Sequence, residues 1–177
     1  MPRVPQKLGL LTGLACFSLV WLCVRFPYEA RNAAEKLLGI SPEVDPLSLH
    51  LKGEFVESNL GTAVDPDESV TVRLIAQQYD FVPRCLLVPE RTSIDFRITS
   101  ADAVHRFAIA GTSDAVEVVP GHISELREQF ATPGEYTTPC HEFCGAGHYN
   151  MLSRIVVVRR DLFPRLKPDE RANCAKP

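Results

Sequence analysis

Residues 140–151, CHEFCGAGHYNM, bring two cysteines, two histidines and a methionine into one short, turn-rich stretch. Thiolate and thioether groups are soft ligands, and together with imidazole they suit copper. Cys144, His148 and Met151 follow the spacing C-x3-H-x2-M, and His105 in SADAVHRFAI offers an imidazole from a distant part of the chain. These four side chains together would form a mononuclear copper site.

A second thiolate changes what this set can bind, because Cys140 lies in the same loop as Cys144. Two thiolates can bridge two copper ions, with His105 on one and His148 on the other. Met151 would then be one weak axial ligand, and an oxygen atom of the loop would be the other. Structural zinc with two cysteines and two histidines is the main alternative, and it leaves the methionine unexplained. A Cys140–Cys144 disulfide is expected only in an oxidised, metal-free form.

Short β-strands are the elements that must position these ligands. Between Pro, Gly, Asp and Ser punctuation, the segments are rich in β-branched residues and several alternate apolar and polar side chains. The predicted strands are 69–81, 85–89, 93–100, 105–110, 115–120, 123–130, 134–140 and 153–160. This pattern is typical of an antiparallel β-sandwich or barrel of about eight strands. The ligand-rich loop falls between the last two strands, where a rigid sandwich can carry a binding site.

The apolar, uncharged stretch 8–24 is long enough to cross a bilayer as a helix. We interpret it as a retained anchor, with a removed signal peptide as the alternative. The predicted organisation is a transmembrane anchor at 1–27, a juxtamembrane helix and connector at 28–67, the β-domain at 68–160 and a loosely held tail at 161–177.

Composition and charge narrow the possible partners. The chain has 177 residues, 45% of them hydrophobic, and a net charge of -3 without a basic stripe, so nucleic acid is an unexpected partner. Cys85 and Cys174 could pair if the domain is exported. Between Asp80 and Gly145 acidic residues outnumber basic ones, which suits a basic electron donor, although ordinary surface charge explains it nearly as well.

The loop CHEFCGAGHYNM resembles the CuA loop of cytochrome c oxidase subunit II, whose pattern is C-x-E/Q-x-C-G-x-x-H-x-x-M. The similarity extends through FRITSADAVHRFAI, VEVVPGH and TPGEY, roughly from 69 to 158. With one apparent span, the chain resembles the ba3-type branch of the haem–copper oxidases. The resemblance implies an all-β, cupredoxin-like Greek-key β-sandwich with one N-terminal transmembrane helix.

The same resemblance implies a binuclear copper centre, CuA. Its metal ligands would be His105, Cys140, Glu142, Cys144, His148 and Met151. The two cysteines would bridge, each histidine would bind one copper, the methionine would be axial, and Glu142 would contribute its backbone carbonyl. In many relatives the side chain at the Glu142 position also reaches a magnesium ion shared with the catalytic subunit, and a glutamate is present here.

The function implied is that of an oxidase's electron-accepting subunit. Cytochrome c, or another cupredoxin or cytochrome donor, would reduce CuA, and the electron would pass to haem in subunit I, where oxygen becomes water. This chain alone would not reduce oxygen. The domain would face the periplasmic side of a bacterial-type cell membrane, held by a single span. A stand-alone membrane-anchored copper-binding or electron-shuttle protein is the alternative.

The chain departs from the family in its aromatic residues. Many relatives receive the electron through a tryptophan-rich stretch, but Trp21 is the only tryptophan and lies in the predicted anchor. In the corresponding strand region, Tyr79 and Phe81 are the aromatic residues that could take the place of the tryptophans at the surface that meets the electron donor. Asp102, three residues before His105, is expected either to orient that region through a hydrogen bond or to be a simple turn residue. His141 is expected to point away from the metal.

Overall fold

The structure, a computed structural model, describes residues 41–42 and 44–174. The predicted anchor, the predicted juxtamembrane helix, and Cys16 and Cys23 lie outside the described residues. None of the helical segments in the described ranges has the length and apolarity needed to cross a bilayer.

Regular structure in these residues consists of β-strands and single-turn 3-10 helices. The strands are β1 (Ser41–Pro42), β2 (Gly61–Val64), β3 (Val70–Gln77), β4 (Asp80–Val82), β5 (Cys85–Pro89), β6 (Ile94–Ser100), β7 (His105–Ala108), β8 (Ala115–Val118), β9 (His122–Glu128), β10 (Gly134–Pro139) and β11 (Leu152–Val158). The 3-10 helices are Pro46–Ser48, Glu57–Asn59, His148–Asn150 and Arg160–Leu162. The all-β prediction is confirmed for the described part of the chain.

The strands form two main sheets and a small hairpin. One sheet has the order β1-β9-β6-β3-β2, with β4 also paired to β3; the second has the order β10-β11-β5; β7 and β8 form the hairpin. The predicted strand 69–81 is divided into β3 and β4, because the chain turns back at Gln78 and Tyr79. The expectation of purely antiparallel pairing is wrong at β3–β6 and β5–β11, which are parallel. Long connections rather than hairpins join these pairs.

The two sheets pack face to face around one apolar core. Alternate side chains of the inner strands point into it, as the period-two pattern predicts. Its buried strand residues include Val70, Val72, Leu74, Leu86, Val88, Ile94, Phe96, Ile98, Ile155 and Val157. Cys140, Cys144 and Met151 belong to the same buried cluster. The ligand-rich loop is therefore attached to the core of the sandwich through its sulfur-bearing side chains.

The segment before β2 packs on the outer face of the large sheet. Leu49, Phe55 and Leu60 are buried against Ile75 and Ile123 in a second apolar cluster. The boundary predicted between 67 and 68 falls inside the antiparallel β2–β3 pair. The packed unit thus extends upstream of that boundary, and the apolar contacts responsible are too irregularly spaced to give a periodic signal in the sequence.

The described part of the C-terminal tail, up to Cys174, is fixed to the sandwich rather than loosely held. A disulfide joins Cys85 in β5 to Cys174, which resolves a pairing that the sequence left open. Thr62 in β2 and Ala172 exchange two backbone hydrogen bonds of 3.0 and 2.9 Å. The expectation of a loose tail at 161–177 overlooked these contacts because its prolines and charges gave no pattern to read.

Candidate metal centre

Three segments bring the predicted ligands together at one end of the sandwich. His105 is the first residue of β7, Cys140 follows β10 directly, and Met151 precedes β11 directly. The backbone N–H of Cys140 donates to the carbonyl of Met151 at 3.1 Å, which closes the base of the loop. The N–H of His141 donates to the carbonyl of Arg106 at 2.9 Å, which joins the loop to β7. Backbone pairing therefore sets the separation of the ligand-bearing segments.

The soft ligand atoms converge within a few ångströms. The two sulfur atoms of Cys140 and Cys144 lie 4.0 Å apart. Cys140 Sγ lies 3.8 Å from His105 Nδ1, and Cys144 Sγ lies 3.7 Å from His148 Nδ1. Met151 Sδ lies 3.6 Å from Cys144 Sγ. Each thiol therefore has a different imidazole beside it, and the ligand atoms of His105, Cys140 and Cys144 all lie within 4.8 Å of one another.

Cys140 and Cys144 are both buried and both free. Burial, and then the neighbouring Cys140 thiol, raise the pKa of Cys144 to about 11. Without a metal this thiol keeps its proton at neutral pH, since two adjacent thiolates would repel each other in a poorly solvated site. A cation that binds here must displace that proton, as is general for thiolate metal sites.

The His105 ring is fully buried and is held from two sides. Its Nε2 lies 2.9 Å from Asp102 Oδ1, so the tautomer that donates to Asp102 leaves Nδ1 free to face the thiols. Phe81 packs edge-on against the ring at a centroid distance of 6.5 Å. Both the orientation and the tautomer of His105 therefore favour metal binding through Nδ1.

Asp102 is in turn fixed by backbone donors. It accepts hydrogen bonds from the N–H of Gln78 at 2.7 Å and from the N–H of Ala103 at 2.6 Å. Partial burial would raise the pKa of Asp102, but the hydrogen bonds from His105 and from these two amides outweigh it and lower the pKa. Of the two sequence-based alternatives, the structure supports the orienting role.

Sequence reasoning missed the residues that hold the loop from outside. The Gln78 side-chain amide donates to the carbonyl of Cys144. The Tyr79 ring covers Gly145 and Gly147 so closely that a Cβ at Gly145 would lie 2.6 Å from Tyr79 Oη. Gly145 belongs to the loop pattern, but no spacing in the sequence links Gln78 and Tyr79 to that loop, so only the fold reveals these contacts.

Apolar side chains project from the surface around the centre. Phe143 is 69% exposed and Tyr149 is 85% exposed. Their rings flank His148, with centroid distances of 5.8 and 5.4 Å. Val104 and Leu152, next to two further predicted ligands, are also exposed. Part of the surface around the centre is therefore apolar and aromatic.

The remaining predicted residues differ in their positions. The carbonyl oxygen of Glu142 lies 3.2 Å from Cys140 Sγ, and the residue is exposed. His141 is exposed, as expected. Phe81 is fully buried in the core, so it is wrong as a surface contact for a donor. Tyr79 is half-buried over the loop.

Comparison with known proteins agrees with this geometry. The family described as cytochrome c oxidase subunit II, periplasmic domain, matches residues 66–159. A cytochrome c oxidase subunit 2 of Thermus thermophilus is 35% identical over 150 residues, which cover 82% of this chain and 89% of the relative. The chain belongs to the cytochrome c oxidase subunit II family. It is therefore a subunit of an oxidoreductase complex, the haem–copper oxidase.

Two further relatives support this assignment. A second Thermus thermophilus cytochrome c oxidase subunit 2 sequence is 37% identical over 114 residues, covering 64% of this chain and 84% of the relative. A chain from the cryo-electron microscopy structure of a heme–copper terminal oxidase dimer is 27% identical, with a TM-score of 0.50. That match covers 85% of this chain and 99% of the other. The similarity therefore includes most of the chain as well as the β-domain.

Proposed function

We propose that this subunit II binds a binuclear copper centre, CuA, and uses it to accept electrons for the oxidase. The observation that carries the proposal is the pair of free, buried thiols 4.0 Å apart, each beside a different histidine. Cys140 and Cys144 would bridge, and His105 and His148 would each bind one copper. Met151 and the Glu142 carbonyl would complete the ligand set. We also propose that the β-sandwich that carries these residues has a cupredoxin-like Greek-key fold.

The donor set fits copper better than zinc. Structural zinc sites are closed by four thiolate or imidazole ligands, and a thioether has no place among them. Met151 is 1% exposed and its sulfur lies against Cys144 Sγ, so a soft neutral sulfur is aimed into the centre. Thioether with thiolate and imidazole is the ligand combination of copper electron-transfer sites.

A copper pair bridged by two thiolates supplies a one-electron carrier whose charge change is shared by two metals. The protein's own contribution is to hold most of the ligand side chains in fixed positions and to shield them from water. His105, Cys140, Cys144 and Met151 are at most 5% exposed. His105 cannot rotate without breaking its contact with Asp102. Ligands that are already in place need little rearrangement when the charge changes, which favours rapid transfer.

We further propose the partners and location that this role requires. The electrons would come from cytochrome c or a similar cupredoxin or cytochrome donor, and would pass to haem in subunit I. The exposed rings of Phe143 and Tyr149 beside His148 support close contact between the centre and a partner protein. The exposed Glu142 side chain is available for a magnesium ion at the subunit interface. A single N-terminal span would hold the domain on the periplasmic side.

The test is metal content and electron paramagnetic resonance of the full chain, purified in mild detergent and loaded with copper. We expect two coppers per chain and a hyperfine pattern from one unpaired electron shared by two copper nuclei. One copper per chain with a single-nucleus pattern, or preferential zinc binding, would contradict the proposal. Cys144→Ser should abolish the shared pattern, whereas Ser153→Ala, which keeps the cysteines, should retain it.

A further inference from the structure

Two leucines near the start of the described fold are almost completely exposed. Leu47 is 93% exposed and Leu51 is 82% exposed; among the large hydrophobic residues in the described part of the chain, only Tyr149, at 85%, has a value between them. Other exposed apolar side chains lie beside the metal centre or in the tail, so these two form a separate feature. We call Leu47, Leu51, His50 and Lys52 the leucine turn.

The leucine turn is a rigid structure. The N–H of Ser48 donates to the Asp45 carbonyl at 3.0 Å, and the N–H of Leu51 donates to the Ser48 carbonyl at 2.9 Å, which makes two consecutive turns. Asp45 also caps the first turn, because its carboxylate accepts hydrogen bonds from the Leu47 N–H and the Ser48 hydroxyl. The leucine side chains are therefore presented by hydrogen-bonded backbone.

The side chains of Leu47 and Leu51 cannot be buried by turning toward the sandwich, because that position is already occupied. Leu49, between them, is 1% exposed and occupies the inner position against Phe55, Ile75 and Ile123. One side of the turn is thus committed to the second apolar cluster, and the opposite side keeps Leu47 and Leu51 outside. Holding apolar side chains in water is unfavourable, so such a feature indicates a contact made elsewhere.

Several features favour membrane lipid as the apolar partner that covers Leu47 and Leu51. The leucine turn is among the first described segments, and it follows the predicted anchor at 8–24 in the sequence. His50 and Lys52 are exposed beside the leucines, and apolar side chains with basic neighbours are the composition of segments that lie at the headgroup boundary. An open groove of about 590 Å³ beside the turn is lined by Asp45, Ser48 and Lys52 among others. The Asp45 carboxylate already accepts from the Leu47 N–H and the Ser48 hydroxyl, so the Lys52 ammonium is the group in the groove that can meet a headgroup phosphate.

The geometry points to the leucine turn as a membrane-surface contact, and we propose that Leu47 and Leu51 insert into the headgroup boundary of a phospholipid bilayer while Lys52 binds its phosphates. Two strongly protruding side chains suit a fluid phase that closes around them, whereas a protein partner would need a matching pocket. The contact would hold the copper domain at a fixed height and tilt over the membrane. It goes beyond electron transfer and rests on the predicted retention of the anchor.

The test uses the assembled oxidase in its own membranes, with Leu51 replaced by the photocrosslinking residue p-benzoylphenylalanine. Leu162, a 64% exposed leucine in the C-terminal tail, is replaced in the same way as the matched control. After irradiation, mass spectrometry of the purified subunit should show phospholipid adducts at position 51 at a several-fold higher yield than at position 162. Copper content measured on the same samples reports separately on the proposed function.

Three results would overturn the proposal. A crosslink from position 51 to another polypeptide would show that a protein covers the leucine turn. Equal adduct yields at positions 51 and 162 would show that the turn contacts lipid no more than the control position does, and an absence of adducts at position 51 would show that the turn does not reach lipid. As an independent check, Lys52→Gln should reduce the share of adducts that come from anionic phospholipids and leave the copper spectrum unchanged. An unaltered lipid profile in that variant would remove the proposed role of Lys52 in binding phosphates.

Discussion

Removing the carboxylate of Asp102 should weaken copper binding although Asp102 is not a predicted ligand. Its Oδ1 accepts from His105 Nε2 at 2.9 Å and from the Ala103 N–H, and its Oδ2 accepts from the Gln78 N–H. All three partners are donors. In Asp102→Asn the amide nitrogen must therefore face one donor, and it does least damage facing Gln78. In Asp102→Ala all three donors lose their partner.

The expected loss of copper affinity depends on how far His105 and Asp102 are shielded from water. Loss of a hydrogen bond to a charged acceptor costs roughly 1–3 kcal/mol, and loss of the group that orients a metal-bound histidine costs about 10–100-fold in affinity. The His105 side chain has no exposed surface, but the Asp102 side chain is 34% exposed, so water can replace part of the contact. We therefore expect copper affinity to fall by roughly tenfold in Asp102→Asn, and further in Asp102→Ala.

The assay is a copper titration of the full chain in detergent, in competition with a chelator of known affinity. Asp95→Asn is the matched control, because it removes a carboxylate that pairs with Arg127 on the surface. It corrects for the loss of one negative charge. If Asp102→Asn and Asp95→Asn bind copper equally well, Asp102 does not orient His105, and the inferred tautomer loses its support.

Three further predictions concern the loop, the tail and the outer face of the sheet. Gly147→Ala should prevent copper loading because the added Cβ collides with the tyrosine ring packed on the loop, whereas Gly134→Ala, with its nearest neighbour at 3.8 Å, should load normally in the same titration. Replacing both Cys85 and Cys174 by alanine should lower the free energy of unfolding by about 2–5 kcal/mol, measured by urea denaturation under non-reducing conditions, because the disulfide closes a long loop. Burial would raise the pKa of Glu54, but its arginine partners lower it overall. The resulting stabilisation is therefore present above the unfolded-state pKa of about 4.3 and is lost as pH falls through the folded-state pKa. Unfolding of Glu54→Gln should depend less on pH in the acid range, and an unchanged pH dependence would contradict this.

The arginine partners of Glu54 show what that carboxylate does in the fold. Glu54 Oε1 accepts from Arg73 Nε at 2.9 Å and from Arg97 Nε at 2.5 Å. Arg73 lies in β3 and Arg97 lies in β6, so one residue of the upstream segment joins two neighbouring strands. The pairs are partly exposed, and isolated surface ion pairs stabilise little. A carboxylate shared by two guanidinium groups is geometrically more specific, which explains how the segment keeps one position on the sheet.

The clustering of the predicted ligand side chains could be anticipated from the sequence because metal chemistry restricts both residue type and spacing. Cys144, His148 and Met151 lie within one loop, and the structure brings His105 to them from the start of β7. The strand pattern was readable for a related reason, since each inner face is buried and each turn needs proline, glycine or a short polar residue. Parallel pairing was missed because periodicity shows which face is buried but does not show which neighbour a strand has.

The residues that escaped prediction act through single contacts. Leu49 and Phe55 are buried, yet they occur in a segment without periodicity and so resembled a spacer. Gln78 and Tyr79 contact the loop although they are far from it in the sequence, and a local sequence pattern does not predict such a contact. Such contacts depend on the register of β3 against β4 and β6, which only the folded sheet determines.

Gln78 makes clear why this register matters for the centre. Its backbone N–H holds Asp102, which orients His105, and its side-chain amide holds the carbonyl of Cys144. One residue at the β3–β4 turn thereby connects the imidazole supplied by β7 with a thiol supplied by the loop. The distance between these two groups of ligands is thus set by the core strands rather than by the loop alone. A loop of the same sequence without that turn would keep its spacing but would lack a fixed partner for His105. The fold therefore supplies what the motif cannot, a rigid relation between ligands that are far apart in the chain.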